Sequence, residues 1–69
     1  MSNAEIIKNF LKNNNGDKFC DDCLAEITGV KPRQQVNQIT RPLKGTGNFD
    51  RDLGQCKRCN KTKEVTWAK

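Results

Sequence analysis

The chain has 69 residues, a formal charge of +5 and only 33% apolar residues. It is therefore expected to form one small domain, residues 1–69, with little core to bury, of a size that commonly needs a disulfide, a metal or a partner to fold. With no His and no Tyr, and no Ser or Lys beside an activating partner, enzymatic chemistry is the least expected function.

The charge is unevenly placed: residues 1–28 sum to −2 and residues 29–69 to +7. The C-terminal half suits a polyanion. No apolar run approaches the ~18 residues of a membrane span, and MSNAEIIKNFLKNNNG lacks the basic-then-apolar layout of a secretory signal. The expected location is the cytoplasm, where thiols stay reduced.

In chain order, Ser2 and Glu5 form an S-x-x-E capping box, and Ile6, Ile7, Phe10 and Leu11 make one apolar stripe of a first helix. The run Asn13-Asn14-Asn15-Gly16 stops it, since Asn and Gly accept the left-handed geometry of a C-terminal cap. Ser-Asn-Ala near the start also fits an expression remnant, although a position after Met1 suits that poorly.

Cys20-Asp21-Asp22-Cys23 opens a short second helix with Leu24, Ala25 and Ile27 inward and Gly29 closing it. Carboxylates and thiolates both favour a helix N-terminus, so Asp21 and Asp22 read as helix-start electrostatics and not as a catalytic dyad. Gly29-Val30-Lys31-Pro32 turns into a third helix, with Pro32 expected at its first position. Val36, Ile39, Thr40 and Leu43 share one face; Gln34, Gln38 and Arg41 lie opposite, flanked by Lys31 and Asn37. Pro42 ends or kinks this helix near Thr40 or Arg41.

Gly45 and Gly47 break the chain, after which Asn48 to Leu53 and Thr62 to Trp67 alternate as strands. Phe49, Arg51 and Leu53 face one way and Asp50 and Asp52 the other. Val65 and Trp67 share a face, with Trp67 expected to cover the core beside Phe49. The turn between the strands, Cys56-Lys57-Arg58-Cys59-Asn60-Lys61, reads as a metal knuckle at a hairpin tip, with Asn60 left-handed so that backbone N–H groups face sulfur.

The two Cys-x-x-Cys pairs, Cys20/Cys23 and Cys56/Cys59, carry the strongest chemistry. Each pair can span one edge of a tetrahedron at about 2.3 Å from a metal, and two edges leave no position for water. One structural Zn²⁺ is the expectation; two disulfides or four unrelated thiols are the alternatives. A redox dithiol would need a strand-helix-strand context that so short a chain does not supply. Zinc on four thiolates would add −2 locally, partly offset by Lys57, Arg58, Lys61 and Lys63.

The segment from Leu24 to Leu43, with the small residue Ala25 and the turn at Gly29, resembles the helix-turn-helix of winged-helix domains. The likeness continues through Gly47-Asn48-Phe49-Asp50-Arg51 into the wing, covering about two-thirds of the chain. The resemblance implies an α+β fold, a three-helix winged helix-turn-helix with a two-stranded wing. Pro42 and the cysteine knuckle in the wing depart from the family's pattern. The knuckle suggests a metal-stapled variant that ties the start of the second helix to the wing.

The resemblance also implies binding to duplex DNA, as in a transcriptional regulator, with the third helix in the major groove. Gln34, Asn37, Gln38 and Arg41 are then the base-reading candidates, since amides pair with adenine and guanidinium with guanine. Lys31, Arg33, Lys44, Arg51, Lys57, Arg58, Lys61 and Lys63 are the candidates for phosphate contact. So small a surface would gain specificity from a homodimer or a protein partner. Two other readings stay open: a zinc-stabilised module docking on the protein of a larger nucleic-acid machine, and an RNA binder, for which there is little aromatic surface to stack bases.

Overall fold

A computed structural model describes residues 2–69. The fold is α+β, with three helices and a three-stranded antiparallel sheet: α1 (Asn3–Asn13), β1 (Phe19–Cys20), α2 (Asp21–Thr28), α3 (Arg33–Thr40), a 3₁₀ turn (Arg41–Leu43), β2 (Phe49–Gln55) and β3 (Thr62–Ala68). The sheet order is β1-β3-β2. No described helix is long and apolar enough to cross a membrane.

α1 starts as its capping residues require, with Ser2 Oγ accepting the Glu5 N–H at 3.2 Å. It buries Ile7 and Leu11 completely, with Ile6 and Phe10 packed at the margin. After Asn13 the chain turns through Gly16 at φ +85°. Gly16 N–H then donates to Ala68 O, and Asn15 Nδ2 to Lys69 O, tying this turn to the end of β3.

β1 is an element that sequence periodicity did not reveal, because two residues are too few to alternate. Phe19 pairs with Thr66 and Cys20 with Val65. It leads without a break into α2, so Cys20 serves both as the last strand residue and as the N-cap. Gly29 closes α2 in the left-handed region at φ +77°.

Ile27, expected to face inward, is 38% exposed. The eight-residue helix buries its Cys23-Leu24-Ala25 side, and Ile27 lies at the rim. Pro32 precedes α3 as its N-cap and is not its first helical residue, a shift of one position; the Lys31–Pro32 peptide bond is cis. Pro42 acts as expected: α3 ends at Thr40 and tightens into the 3₁₀ turn, which buries Leu43.

β2 and β3 pair in register from Phe49 opposite Ala68 to Gln55 opposite Thr62. This register decides two points of packing. Phe49 and Ala68 join the main core with Ile7, Leu11, Leu24, Val30 and Val36. Trp67, opposite Asp50, points to the other face of the sheet and packs on a second cluster, of Val65 and the cysteines. It therefore does not sit beside Phe49. Lys18 Nζ lies 4.7 Å from its ring centroid, a cation–π contact. Leu53, on the face of Phe49 and Arg51, is 68% exposed.

Candidate metal centre and charged groove

The first cysteine pair is positioned by the β1-to-α2 junction and the second by the hairpin turn. The four Sγ atoms come within 4.8 Å of one another, and all four thiols are free. Cys20 Sγ lies 3.8 Å from Cys59 Sγ, and Cys56 Sγ 3.6 Å from Cys23 Sγ. The edge of a tetrahedron with metal–sulfur bonds of 2.3 Å is about 3.8 Å, so the donor set fits a closed four-sulfur metal site. Three of the cysteines are buried and Cys59 half-buried.

The hairpin turn is shaped for sulfur. Asn60 takes φ 63°, as its place in the knuckle required. Asn60 N–H donates to Cys56 O, and Cys56 N–H to Lys61 O, which closes the turn on itself. Lys57 N–H reaches Lys18 O at 2.8 Å and fastens the turn to the approach of β1.

Burial works against the Cys56 thiolate, but N–H groups of Cys59, Cys20 and Arg58 outweigh it and bring the thiol down to about 6. Cys20 N–H is one of these donors, 3.4 Å from Cys56 Sγ. Burial pushes Cys23 up to about 12, and hydrogen bonds with Cys20 and Cys56 add to this. Without a cation among them, four close sulfurs resist sharing negative charge; a divalent ion removes that conflict.

Arg51, expected on a phosphate, is buried. This is a correction, and its cause is the inward register of β2. The guanidinium grips Asp21 end-on, Nη1 to Oδ1 at 3.0 Å and Nη2 to Oδ2 at 3.1 Å. Its Nη1 also donates to Thr40 Oγ1 and to Thr66 Oγ1, and its Nε to Glu64 Oε2. Thr40 Oγ1 and Asn37 Nδ2 complete the shell around Asp21, each at 2.9 Å. Burial alone would raise the Asp21 carboxyl, yet hydrogen bonds from Arg51, Asn37 and Thr40 hold it below the usual range.

Asp21 is therefore more than a helix-start charge. It joins α2, α3, β2 and β3 through one fully satisfied network, and no buried side-chain polar atom among the described residues lacks a partner. Alternation had already placed Arg51 with Phe49 on the inward face, so a buried counter-charge was inferable. Which acid would supply it was not.

The remaining candidates divide by their partners. Lys57 pairs with Asp17 at 2.8 Å and Arg58 with Glu26 at 3.0 Å. Arg33 and Lys63 both pair with Asp22, at 2.7 and 2.9 Å. The Arg58 charge is favoured first by Glu26 and then by Cys23; that of Lys63 first by Asp22, with Cys20 and Cys59 adding to it. These two cations are thus held first by carboxylates, and the nearby sulfurs add to their charge stabilisation. Lys31, Arg41, Lys44 and Lys61 make no ion pair among the described residues.

On α3, Gln34 and Gln38 are exposed, whereas Asn37 is half-buried with its amide N–H committed to Asp21. Between α3 and the hairpin runs an open groove of about 570 Å³, lined by Asp22, Arg33, Asn37, Arg41, Lys63 and Glu64 among others. Comparisons with protein-family models, curated proteins and solved structures gave no match.

Proposed function

We propose that the chain binds duplex DNA as a zinc-stapled winged helix-turn-helix domain, reading bases with α3 and gripping phosphate from its flanks. The observation that carries this reading is the outer face of α3. Gln34, Gln38 and Arg41 are exposed and, among the described residues, bond to no other side chain. From residue 27 to residue 49 there are four basic side chains, Lys31, Arg33, Arg41 and Lys44, and no acidic one.

Arg33 at the start of α3 is paired with Asp22, whereas Arg41, one residue past the helix, makes no ion pair among the described residues. Amide and guanidinium groups left free along one face suit hydrogen bonding to base edges. The order helix, strand, helix, helix, strand, strand, with β1 at one edge of the sheet, supports the winged arrangement. In this reading the metal ties the start of α2 to the hairpin and preorganises the surface on either side of the groove.

Zinc is the proposed metal. Four thiolates in a closed tetrahedron suit Zn²⁺ or an iron–sulfur centre, and two short Cys-x-x-Cys pairs with a knuckle turn suit a single Zn²⁺. Lys31, Lys44 and Lys61 become the leading phosphate contacts, because they make no ion pair among the described residues, while Lys57 and Arg58 are held on Asp17 and Glu26.

A selection of bound sequences from random duplex, with and without chelator, tests the reading. Enrichment of a motif that is lost with chelator supports it; no enrichment and no salt-dependent duplex binding overturns it. The exposure of Leu53 favours one second reading, docking on a protein partner through the hairpin. Such binding would be only weakly salt-dependent, whereas duplex binding falls steeply with salt.

A further inference from the structure

We infer that Arg33 and Lys63 form a phosphate site which Asp22 occupies in the free protein. Arg33 comes from the first turn of α3 and Lys63 from β3, yet both reach the same carboxylate, Nε to Oδ1 and Nζ to Oδ2. Two cations from separate elements thus converge on one anion at the wall of the groove between them. A phosphate group presents the same chemistry, several anionic oxygens that accept from a guanidinium and an ammonium at once.

The carboxylate is replaceable. Asp22 is 43% exposed and Arg33 63% exposed, so both pairs sit where water screens them. This sets them apart from the neighbouring buried pair, in which Arg51 cannot leave Asp21. Of the other acids lining the groove, Asp21 is buried on Arg51 and Glu64, 65% exposed, is held by Arg51 Nε; Arg41 on the same groove makes no ion pair among the described residues. An incoming phosphate therefore meets Arg33, Lys63 and Arg41 and displaces Asp22, while the exposed Glu64 stays on Arg51.

The inference deepens the DNA-binding reading and rests on it for the source of the phosphate, a duplex backbone running between α3 and the hairpin. Displacing Asp22 makes binding weaker than the cations alone would allow. It also makes binding less salt-dependent, since an internal carboxylate, and not salt, neutralises Arg33 and Lys63 beforehand.

The test compares zinc-loaded wild type with Asp22→Asn, using one mixed-sequence duplex across a salt series. Loss of two exposed pairs predicts roughly two- to thirtyfold tighter binding. The log–log salt slope should steepen by up to about 1.8, for two cations newly available to release counterions. Asp52→Asn removes the same charge from an exposed position of β2 and should give neither change in full. In an Arg33→Gln/Lys63→Gln background, Asp22→Asn should have no effect. If Asn at this position lowers zinc content, Asp22→Ser removes the same carboxylate with a smaller polar side chain.

A second arm titrates both proteins with inorganic phosphate at constant ionic strength, reading the Arg33 Nε–H resonance by NMR. It should shift more in Asp22→Asn than in wild type. Duplex binding with equal gains in Asp22→Asn and Asp52→Asn would overturn the phosphate site and leave the DNA reading standing. Phosphate response without duplex binding by any variant would retain the site and overturn the DNA reading. Silence in both arms overturns both.

Discussion

Replacing Arg51 by Ala separates a structural arginine from a phosphate contact. The substitution leaves Asp21 buried, with Thr40 and Asn37 as its remaining side-chain partners, and leaves Thr66 Oγ1 without the Arg51 donor. Removing one member of a buried pair typically costs about 3–5 kcal/mol, because the other charge stays desolvated and uncompensated. A chain of this size has a total stability of roughly 3–10 kcal/mol, so the loss would consume much of it.

With a urea slope of about 1 kcal/mol per molar, the midpoint of the zinc-loaded protein should fall by several molar. Asp21→Asn should be milder, since it keeps the shape and the hydrogen bonds to Thr40 and Arg51 in part. The double variant Asp21→Asn/Arg51→Met, which removes both charges, should cost less than the sum of the Asp21→Asn and Arg51→Met single variants, a coupling well beyond additivity. A cost below about 1 kcal/mol for Arg51→Ala, the range of an exposed pair, would refute the buried network. A salt slope for duplex binding that falls by about 0.9 in a still-folded Arg51→Ala would restore its role at phosphate.

The remaining expectations concern the metal, the exposed face of α3 and one turn. Metal analysis of protein purified without added zinc should give about one equivalent of Zn²⁺, and Cys56→Ser should largely unfold the chain, as ligand loss removes an apparent ~10 kcal/mol or more of binding energy; two disulfides in protein kept reduced would refute this. The double variant Gln34→Ala/Gln38→Ala should keep its unfolding midpoint but relax preference at neighbouring positions of a selected site, each bidentate contact being worth ~1–3 kcal/mol. Wild-type affinity and preference in that variant would show that α3 does not read bases. Gly29→Ala should cost about 1 kcal/mol, read as a drop in melting temperature of roughly 4–8 °C: nothing lies within 4 Å of the added Cβ, so the cost is that of φ +77° alone.

The chain by itself determined the features that rest on local chemistry. Helix α1 follows from its cap and stripe, the α2 stop from Gly29, the α3 stop from Pro42, and the knuckle from Asn60, because each needs only the conformational limits of neighbouring residues. The cysteine grouping was legible for a related reason, since the spacing within each pair is short enough to fix its geometry without knowledge of the rest.

What the tertiary structure decided was every choice of partner across the chain. A capping carboxylate and a buried one have the same sequence signature, so only the packing of β2 against α2 and α3 shows that Arg51 belongs to Asp21. The two-residue strand β1 exists because β3 offers it backbone partners, and no period in Phe19-Cys20 could announce that. Trp67 and Phe49 part company because the β2–β3 register puts them on opposite faces, a matter of pairing and not of hydrophobicity. Lys57, Arg58, Arg33 and Lys63 look alike as cations in a basic half. Folding brings Asp17, Glu26 and Asp22 beside them from the acidic half, and Coulomb attraction at under 3.1 Å then sorts the paired from the free.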